Sequence, residues 1–250
     1  MNLKGKVALV TGAAQNIGRS IAMELAAAGA DLIINTKTQK EKAESVAEEI
    51  CRLDQKAIVL MADIAILDQV ERMVQSATEH FGHIDILVNN AAVRPSIPFL
   101  EMEPQQWHDV LGVNLHGTFH CCRTVIPYML QNGWGRIINM IGWTAFAGFA
   151  NRAHTVAAKA GVHGLTRALA IEFAAKNITV NSVAVAYVET VRKKEWYPNW
   201  PSEEELRRQI PMQRQGRMDE VGKVVAFVAS EDSSYITGQV IHANGGRFIS

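Results

Sequence analysis

The chain of 250 residues is 48% hydrophobic and 20% charged, and its 25 basic side chains are balanced by 25 acidic ones. This composition is typical of a globular protein and gives no sign of nucleic acid or a membrane surface as a partner. The first residues lead directly into a strand-like run, and no apolar stretch is long enough to span a bilayer. We therefore expect a cytoplasmic protein without a signal peptide. Its 3 cysteines lack paired metal-ligand spacing, which favours a reducing compartment and predicts no metal.

Short β-branched runs alternate with longer helical patterns along the whole chain. Several of these runs are continuously apolar, which is typical of strands that are covered on both faces. The alternation predicts a single Rossmann-type α/β domain over residues 1–250, with a doubly wound parallel sheet of about seven strands and helices on both faces. The predicted strands are 7–10, 31–34, 57–60, 84–88, 136–139, 179–183 and 239–241, and the clearest predicted helices are 17–28, 40–53 and 67–80.

Residues 187–212 form a long connection between the sixth predicted strand and the last predicted helix. The segment is rich in aromatic residues, prolines and charges. Connections of this length often close over a ligand, so a lid is predicted, with a solvated excursion of no function as the alternative. Its basic run Arg192-Lys193-Lys194 is placed to meet an acidic or CoA-type substrate, although a solvated charged face is the favoured interpretation.

A glycine-containing turn follows the first predicted strand and leads into the first helix. It reads Thr11-Gly12-Ala13-Ala14-Gln15-Asn16-Ile17-Gly18. Amide N–H groups at such a turn, together with the positive end of the helix dipole, suit a pyrophosphate, so the turn predicts a dinucleotide site. We expect Asn16 to adopt the left-handed backbone conformation, which asparagine tolerates better than most residues.

Further motifs follow in a fixed order along the chain. They are Asn89-Asn90-Ala91-Ala92, Asn114-Leu115-x-Gly117, Lys159-Ala160-Gly161, Tyr235-Ile236-Thr237-Gly238-Gln239 and Asn244-Gly245-Gly246. With these motifs, essentially the full length resembles the short-chain dehydrogenase/reductase family. The resemblance implies a nicotinamide cofactor, and its binding residues would be Gly12, Asn16, Ile17, Gly18, Asp63, Asn90 and Lys159.

The choice between NAD and NADP depends on the end of the second predicted strand. Enzymes that use NAD normally carry an acidic residue there, which binds the ribose hydroxyls. This chain reads Asn35-Thr36-Lys37-Thr38 in that region and has no acid. Lys37 is placed to meet a 2′-phosphate, which favours NADP. The alternative is that Lys37 is an ordinary exposed lysine.

The catalytic segment departs from the family pattern. The resemblance implies an asparagine that supports a relay water, a serine that holds the substrate oxygen, and a tyrosine that supplies the proton beside a lysine. Asn114 and Lys159 are present, but Gly142 stands at the serine place and Thr155 at the tyrosine place. A nearby cation can lower the pKa of a tyrosine from ~10, whereas an aliphatic hydroxyl cannot be brought that far. Loss of a well-matched general acid costs roughly 10²–10⁴ in rate.

Nearby side chains offer only weak substitutes for the missing phenol. His154 titrates in a suitable range, but adjacent helical side chains point about 100° apart, so His154 should face away from the site of Thr155. Tyr187 follows the sixth predicted strand near the cofactor edge and is a second substitute. Trp143, next to Gly142, is a candidate to fill the emptied pocket, although a plain packing role is the favoured interpretation.

The altered positions lie at the cofactor or chemical site, whereas the scaffold motifs remain. Besides Gly142 and Thr155, they include Asn16 and Val185-Ala186, where the family has glycine and Pro-Gly. This pattern favours a non-catalytic subunit of a heteromeric alcohol or 3-hydroxyacyl-type dehydrogenase, with cofactor binding weakened or lost. The resemblance implies dimers or tetramers formed through helices near 104–131 and 152–175. We therefore expect a homo- or hetero-oligomer, including assembly with an active paralogue.

Two alternatives remain open at this point. One is an active NAD(P)-dependent oxidoreductase with non-standard acid/base chemistry, in which Lys159 acts through water and Asn114. The other is a family fold recruited to non-redox chemistry or to ligand binding.

Overall fold

A computed structural model of the chain describes residues 1–192, 194–197 and 200–249. The strands in these residues are Val7–Val10 (β1), Asp31–Thr36 (β2), Ala57–Met61 (β3), Ile86–Asn89 (β4), Gly135–Gly142 (β5), Ile178–Val185 (β6) and Val240–Ala243 (β7). They form one sheet in the order β3-β2-β1-β4-β5-β6-β7. Every neighbouring pair is parallel.

The α-helices in the described residues are Asn16–Ala27 (α1), Lys40–Cys51 (α2), Leu67–Phe81 (α3), Pro104–Leu111 (α4), Gly117–Asn132 (α5), Thr144–Ala147 (α6), Ala153–Phe173 (α7), Glu203–Gln209 (α8) and Met218–Ala229 (α9). Local signals set some of their ends. A capping box and Pro104 start α4, and the left-handed Gly82 ends α3. In the described part of the chain, no helix is both long and apolar enough to cross a membrane.

Each central strand serves two cores because successive side chains point to opposite faces of the sheet. In β1, Ala8 and Val10 pack into the core that includes residues of α1, α2 and α9, whereas Val7 and Leu9 pack into the core that includes residues of α3 and α5. All four side chains are buried. Helices therefore cover both faces, which explains why the strands read as continuous apolar runs.

The strand order reverses between β1 and β4, and a crevice opens at such a switch point beyond the carboxyl ends of the strands. Thr11 fastens these two strand ends together. Its hydroxyl accepts hydrogen bonds from the backbone N–H groups of Asn90 at 3.0 Å and Ala91 at 3.1 Å. The predicted nucleotide loop and the Asn89–Ala92 motif consequently lie side by side at the crevice.

The Rossmann-type α/β fold predicted from the sequence is confirmed. Small differences concern the ends of elements: β4 begins at Ile86, and β7 spans Val240–Ala243. The helix expected over 104–131 is divided by a π-helical turn at Gly112–His116. That turn contains Asn114, and π-helical turns are frequent at functional sites.

Close packing of α1 against α9 predicts a large effect of one added methyl group. A Cβ on Gly222 would lie 2.9 Å from the Ser20 carbonyl oxygen, whereas a Cβ on Gly164, inside α7, would meet nothing within 4 Å. We expect Gly222→Ala to lower the free energy of unfolding by about 1–3 kcal/mol through overpacking. Gly164→Ala should raise it by up to about 1 kcal/mol through helix propensity. Urea denaturation followed by circular dichroism measures both, and equal effects of the two variants would contradict this account.

Candidate active site

A cleft of about 440 Å³ lies over the crevice between β1 and β4, and we call it the nucleotide cleft. Its floor is the turn between β1 and α1. A Cβ on Gly12, whose φ is +64°, would lie 2.9 Å from the Cα of Ala91, and a Cβ on Gly18 would lie 2.2 Å from the carbonyl oxygen of Gly12. Both positions therefore require glycine, and the backbone is left open to a ligand at the N-terminus of α1.

Asn16 replaces the middle glycine of the family pattern without distorting the turn. Its φ is 53°, the left-handed conformation expected from the sequence. Its side chain also makes two hydrogen bonds across the cleft: Nδ2 donates to the Val191 carbonyl at 3.0 Å, and Oδ1 accepts from the Val191 N–H at 2.9 Å. We call this pair of bonds the Asn16–Val191 strap. It links the nucleotide loop to the segment predicted to act as a lid.

Two further residues of the predicted cofactor set line the same cleft but act differently. Ile17 lines the nucleotide cleft. The Nδ2 atom of Asn90 donates to the carbonyls of Thr11 at 3.0 Å and Gly12 at 3.1 Å, so its side chain rigidifies the loop. The first turn of α1 has no acidic residue, which leaves the positive end of the helix dipole uncompensated.

The opposite end of the nucleotide cleft contains an ion pair between Lys37 and Asp63. Their Nζ and Oδ2 atoms are 2.6 Å apart, and the Lys37 side chain is 64% exposed while that of Asp63 is 14% exposed. The Asp63 Oδ1 atom also accepts the N–H of Ala65 at 3.0 Å. Lys37 is thus more than an unattached surface lysine, because Asp63 holds it at the cleft wall.

Lys159 lies inside the protein between α7 and β5. It is 6% exposed, and its Nζ donates to the carbonyl of Met140 at 2.7 Å. Burial, with a smaller contribution from the positive charge of Arg94, lowers the pKa of Lys159 to about 7. The side chain therefore exchanges its proton near neutral pH, unlike an ordinary lysine.

Thr155 lies one helical turn before Lys159 on the same face of α7. It lines a second cavity of about 320 Å³, which we call the side pocket. Gly142, at the end of β5, lines the side pocket as well. A Cβ on Gly142 would lie 3.4 Å from the Thr144 Oγ1 atom, which is an ordinary contact distance, so the backbone has room for a serine at this position. The serine and tyrosine places therefore meet at one cavity.

His154 is fully buried and does not reach either cavity. Its Nδ1 accepts the backbone N–H of Thr155 at 2.7 Å and lies 3.2 Å from the Thr155 hydroxyl. Burial lowers the pKa of His154, so the neutral ring is favoured. The side chain faces away from the side pocket, as the helical spacing predicts, but it contacts the hydroxyl that lines the pocket.

Asn114 fixes the loop after β4. Its Nδ2 donates to the Val93 carbonyl at 2.8 Å and its Oδ1 accepts the Val93 N–H at 2.9 Å. These bonds use one donor and one acceptor site of the amide and hold the side chain against the main chain of Val93. The main-chain carbonyl of Asn114 accepts the Thr118 hydroxyl at 3.2 Å.

The other candidate acids and nucleophiles occupy structural positions. Tyr187 lines the side pocket, but its hydroxyl donates to the Gln209 Oε1 at 3.1 Å. Trp143 forms part of the pocket wall rather than filling the pocket, with its ring 4.5 Å from the guanidinium of Arg247. Burial raises the pKa of the Cys122 thiol to about 12 and that of Cys121 further. Among the described residues, no group of side chains is arranged to hold a metal ion.

Sequence reasoning missed two arginines at the side pocket. Arg94 and Arg152 line it together with Arg192, which was singled out in the basic run of the lid. Lys194, from the same run, is exposed, and Lys193 lies outside the described residues. Arg152 stands three positions before Thr155, and a basic residue this close to a catalytic segment was the available signal.

Comparison with known proteins agrees with the fold. Residues 12–247 match the family described as Enoyl-(Acyl carrier protein) reductase. The chain is 39% identical over 244 residues to a 3-oxoacyl-[acyl-carrier-protein] reductase of Staphylococcus epidermidis, covering 98% of this chain and 99% of that protein. It is 40% identical over 253 residues to the reductase of the same name from Aquifex aeolicus, covering 99% of each.

A solved structure also has the same fold as this chain. A putative short-chain alcohol dehydrogenase from Sinorhizobium meliloti superimposes with a TM-score of 0.94 at 34% identity, covering 98% of this chain and 97% of that one. The chain therefore belongs to the short-chain dehydrogenase/reductase family of oxidoreductases. Gly142 and Thr155 stand at the places where the resemblance described above implies a serine and a tyrosine.

The Asn16–Val191 strap predicts a specific change in backbone dynamics. Asn16→Gly keeps the left-handed backbone but removes both hydrogen bonds, each of which contributes about 1 kcal/mol. We expect amide exchange at Val191 to accelerate about fivefold or more in the unliganded protein, measured by hydrogen–deuterium exchange. Asn16→Asp, which keeps the acceptor for the Val191 N–H, serves as the matched control and should give a smaller increase. Unchanged exchange in Asn16→Gly would show that the strap does not hold the segment.

Proposed function

We propose that the protein is an active nicotinamide-dependent oxidoreductase that interconverts a carbonyl and an alcohol, with Lys159 as the proton reservoir. The observation that carries this proposal is the buried amine of Lys159, whose pKa lies at about 7, one helical turn from Thr155 in the side pocket. The similarity to 3-oxoacyl-[acyl-carrier-protein] reductases over nearly the whole chain also supports an active oxidoreductase. The non-standard acid/base alternative is thereby favoured over a non-catalytic subunit.

The residues of the nucleotide cleft fit a dinucleotide. The glycine cradle, the N-terminus of α1 and the volume of about 440 Å³ match the needs of a pyrophosphate and its two nucleosides. Gly12, Asn16, Ile17 and Gly18 would surround the pyrophosphate, and Asp63 would lie near the adenine. When bound, a nicotinamide supplies or accepts the hydride at the carbonyl carbon.

Thr155 would carry the proton between Lys159 and the substrate without ionising. A hydroxyl can accept one hydrogen bond while it donates another, so it can pass a proton on although its own pKa stays too high for a net acid. In the reducing direction, the carbonyl carbon gains hydride and its oxygen gains the proton. The Lys159 ammonium ends as a neutral amine and is recharged from solvent.

Gly142 removes the hydroxyl that would orient the substrate oxygen. Loss of a matched donor and of the tyrosine acid would each slow the reaction, and a general acid alone is worth roughly 10²–10⁴ in rate. We therefore propose a slower enzyme than a family member with the full tetrad. The depressed pKa of Lys159 partly offsets the loss, because an acid whose pKa is near the working pH transfers its proton efficiently.

The pH dependence of turnover tests the role of Lys159. The ammonium form donates the proton and is present below its pKa of about 7. For the free enzyme, kcat/KM for carbonyl reduction should be level below that pH and fall as the pH rises through it, while alcohol oxidation should show the reverse trend. Lys159→Ala should lower turnover by about 10² or more.

Lys159→Arg provides the matched control for charge. A guanidinium stays protonated throughout this range, so the decline near neutral pH should disappear while activity stays low. Circular dichroism of both variants checks that they fold. Undiminished turnover in Lys159→Ala would overturn the proposed role of the amine.

A non-catalytic subunit is the second candidate, and the absence of a serine hydroxyl at Gly142 and of a phenol at Thr155 favours it. In that case the purified chain alone would oxidise no NADPH or NADH with any carbonyl probe. Activity that appears only on mixing with an active family member from the same genome would select this candidate. Its oligomeric assembly would then be the functional unit.

For the cofactor, we propose NADP rather than NAD. Lys37 directly follows β2, at a chain position where an enzyme that uses NAD normally carries an acidic residue, and its ion pair with Asp63 holds it at the cleft wall. Lys37→Ala should weaken NADPH binding by about fivefold and leave NADH binding nearly unchanged, as measured by calorimetry. Lys56→Ala, an exposed lysine before β3, is the control for general charge. An equal loss for both cofactors would argue against a 2′-phosphate contact.

A further inference from the structure

The side pocket brings three guanidinium groups together without an opposing carboxylate. Arg94, Arg152 and Arg192 line it, and none of its described lining residues is aspartate or glutamate. None of the three arginines takes part in an ion pair between described residues. Positive charge therefore accumulates at the place where a substrate would lie.

Arg152 is held rigidly at the base of this cluster. It is 8% exposed, and its side chain donates to the carbonyls of Arg94 at 2.7 Å and Trp196 at 2.6 Å. Its Nε atom is buried and makes no hydrogen bond to a described residue. Burial lowers its pKa from the usual value, and Tyr197 opposes part of that effect.

Arg192 is positioned by an aromatic ring and by neutral acceptors. Its guanidinium lies 3.6 Å from the centroid of Trp200, and it donates to the carbonyl of Thr190 at 3.1 Å and to that of Val188. Burial also lowers its pKa. Such contacts fix the plane of the guanidinium but leave its charge unbalanced.

Arg94 stands where the side pocket and the nucleotide cleft meet, since it lines both. It is exposed, and its charge contributes to the lowered pKa values of Arg152, Arg192 and Lys159. An anion bound among the three arginines would relieve this mutual repulsion. A neutral ligand would bury the guanidinium groups further without compensation.

The rest of the wall is aromatic. Trp143, Phe149, Tyr187, Tyr197 and Trp200 line the side pocket, and several of them touch in edge-to-face or tilted pairs. Flat rings of this kind favour a planar, apolar ligand body. The volume of about 320 Å³ suits a small molecule.

We propose that the side pocket selects a small aromatic carboxylate, with the ring against the aromatic wall and the carboxylate among Arg94, Arg152 and Arg192. A carboxylate matches the planar fork of a guanidinium and needs only two N–H donors, which suits arginines that already donate to carbonyls. As a substrate assignment, this inference rests on the proposed function, because the reacting carbonyl or alcohol would be another group on the same molecule. Binding of the carboxylate itself is independent of turnover.

The test compares three matched probes with the full chain in the absence of cofactor. They are para-acetylbenzoate, the neutral para-acetylbenzamide, and para-acetylphenyl phosphate, each titrated while the fluorescence of the pocket tryptophans is followed. We expect the carboxylate to bind at least tenfold more tightly than the amide, with an affinity that falls as salt is added. Equal binding of acid and amide would overturn the proposal. Tighter binding of the phosphate would overturn the assignment to a carboxylate.

Two substitutions test whether the carboxylate binds in the side pocket. Arg192→Gln and Arg94→Gln should each weaken para-acetylbenzoate binding about tenfold and leave the amide unaffected. Arg72→Gln, an exposed arginine on α3, is the control and should change neither. Weaker binding in the Arg72→Gln control would count against the pocket as the site. Unchanged binding in both Arg192→Gln and Arg94→Gln would count against it as well.

Turnover separates this inference from the proposed function. Selective carboxylate binding without NADPH or NADH oxidation by any carbonyl probe would sustain the pocket assignment and defeat the proposed reaction. Turnover of neutral ketones with no preference for a carboxylate would sustain the reaction and defeat the pocket assignment.

Discussion

The burial of the Lys159 amine constrains the arrangement of the whole site. Lys159 hydrogen bonds to the carbonyl of Met140, which requires α7 to lie close against β5. The same helix presents Thr155 to the side pocket, and β5 ends there at Gly142. Burying an ammonium is costly unless it has partners or can lose its proton, and here the pKa has moved to about 7. The scaffold therefore keeps the amine ready to exchange a proton even though the usual tyrosine is absent.

The two cavities meet at a boundary where charge is distributed unevenly. The nucleotide cleft has the positive end of α1 and the Lys37–Asp63 pair, whereas the side pocket has arginines without acids. Arg94 belongs to both walls. A dinucleotide and a carboxylate would both bring negative charge to this boundary, so each would reduce the repulsion among the same cations. Because both ligands are anions that draw on the same cations, electrostatics alone would make the binding of one weaken the attraction for the other.

The parts of the fold and of the site that could be predicted from the sequence are those whose interacting residues lie close together along the chain. Strand and helix periodicity predicted the fold, and short motifs identified Gly12, Gly18 and Lys159. The Asn16–Val191 strap joins residues 175 positions apart, and Arg152 reaches a carbonyl 58 positions away. No local pattern encodes such contacts. Asn114 lies in a π-helical turn that periodicity does not reveal, and its amide bonds to the main chain of Val93, 21 positions away.

The change from glycine to asparagine at position 16 also affects how a ligand would enter and leave. The Asn16–Val191 strap crosses the wall of the nucleotide cleft, and both of its residues line that cleft. Breaking both bonds costs about 2 kcal/mol, which corresponds to roughly a thirtyfold change in the rate at which this wall opens. A glycine at position 16 would form neither bond. The asparagine therefore ties the opening of the cleft wall to the motion of the segment that carries Val191.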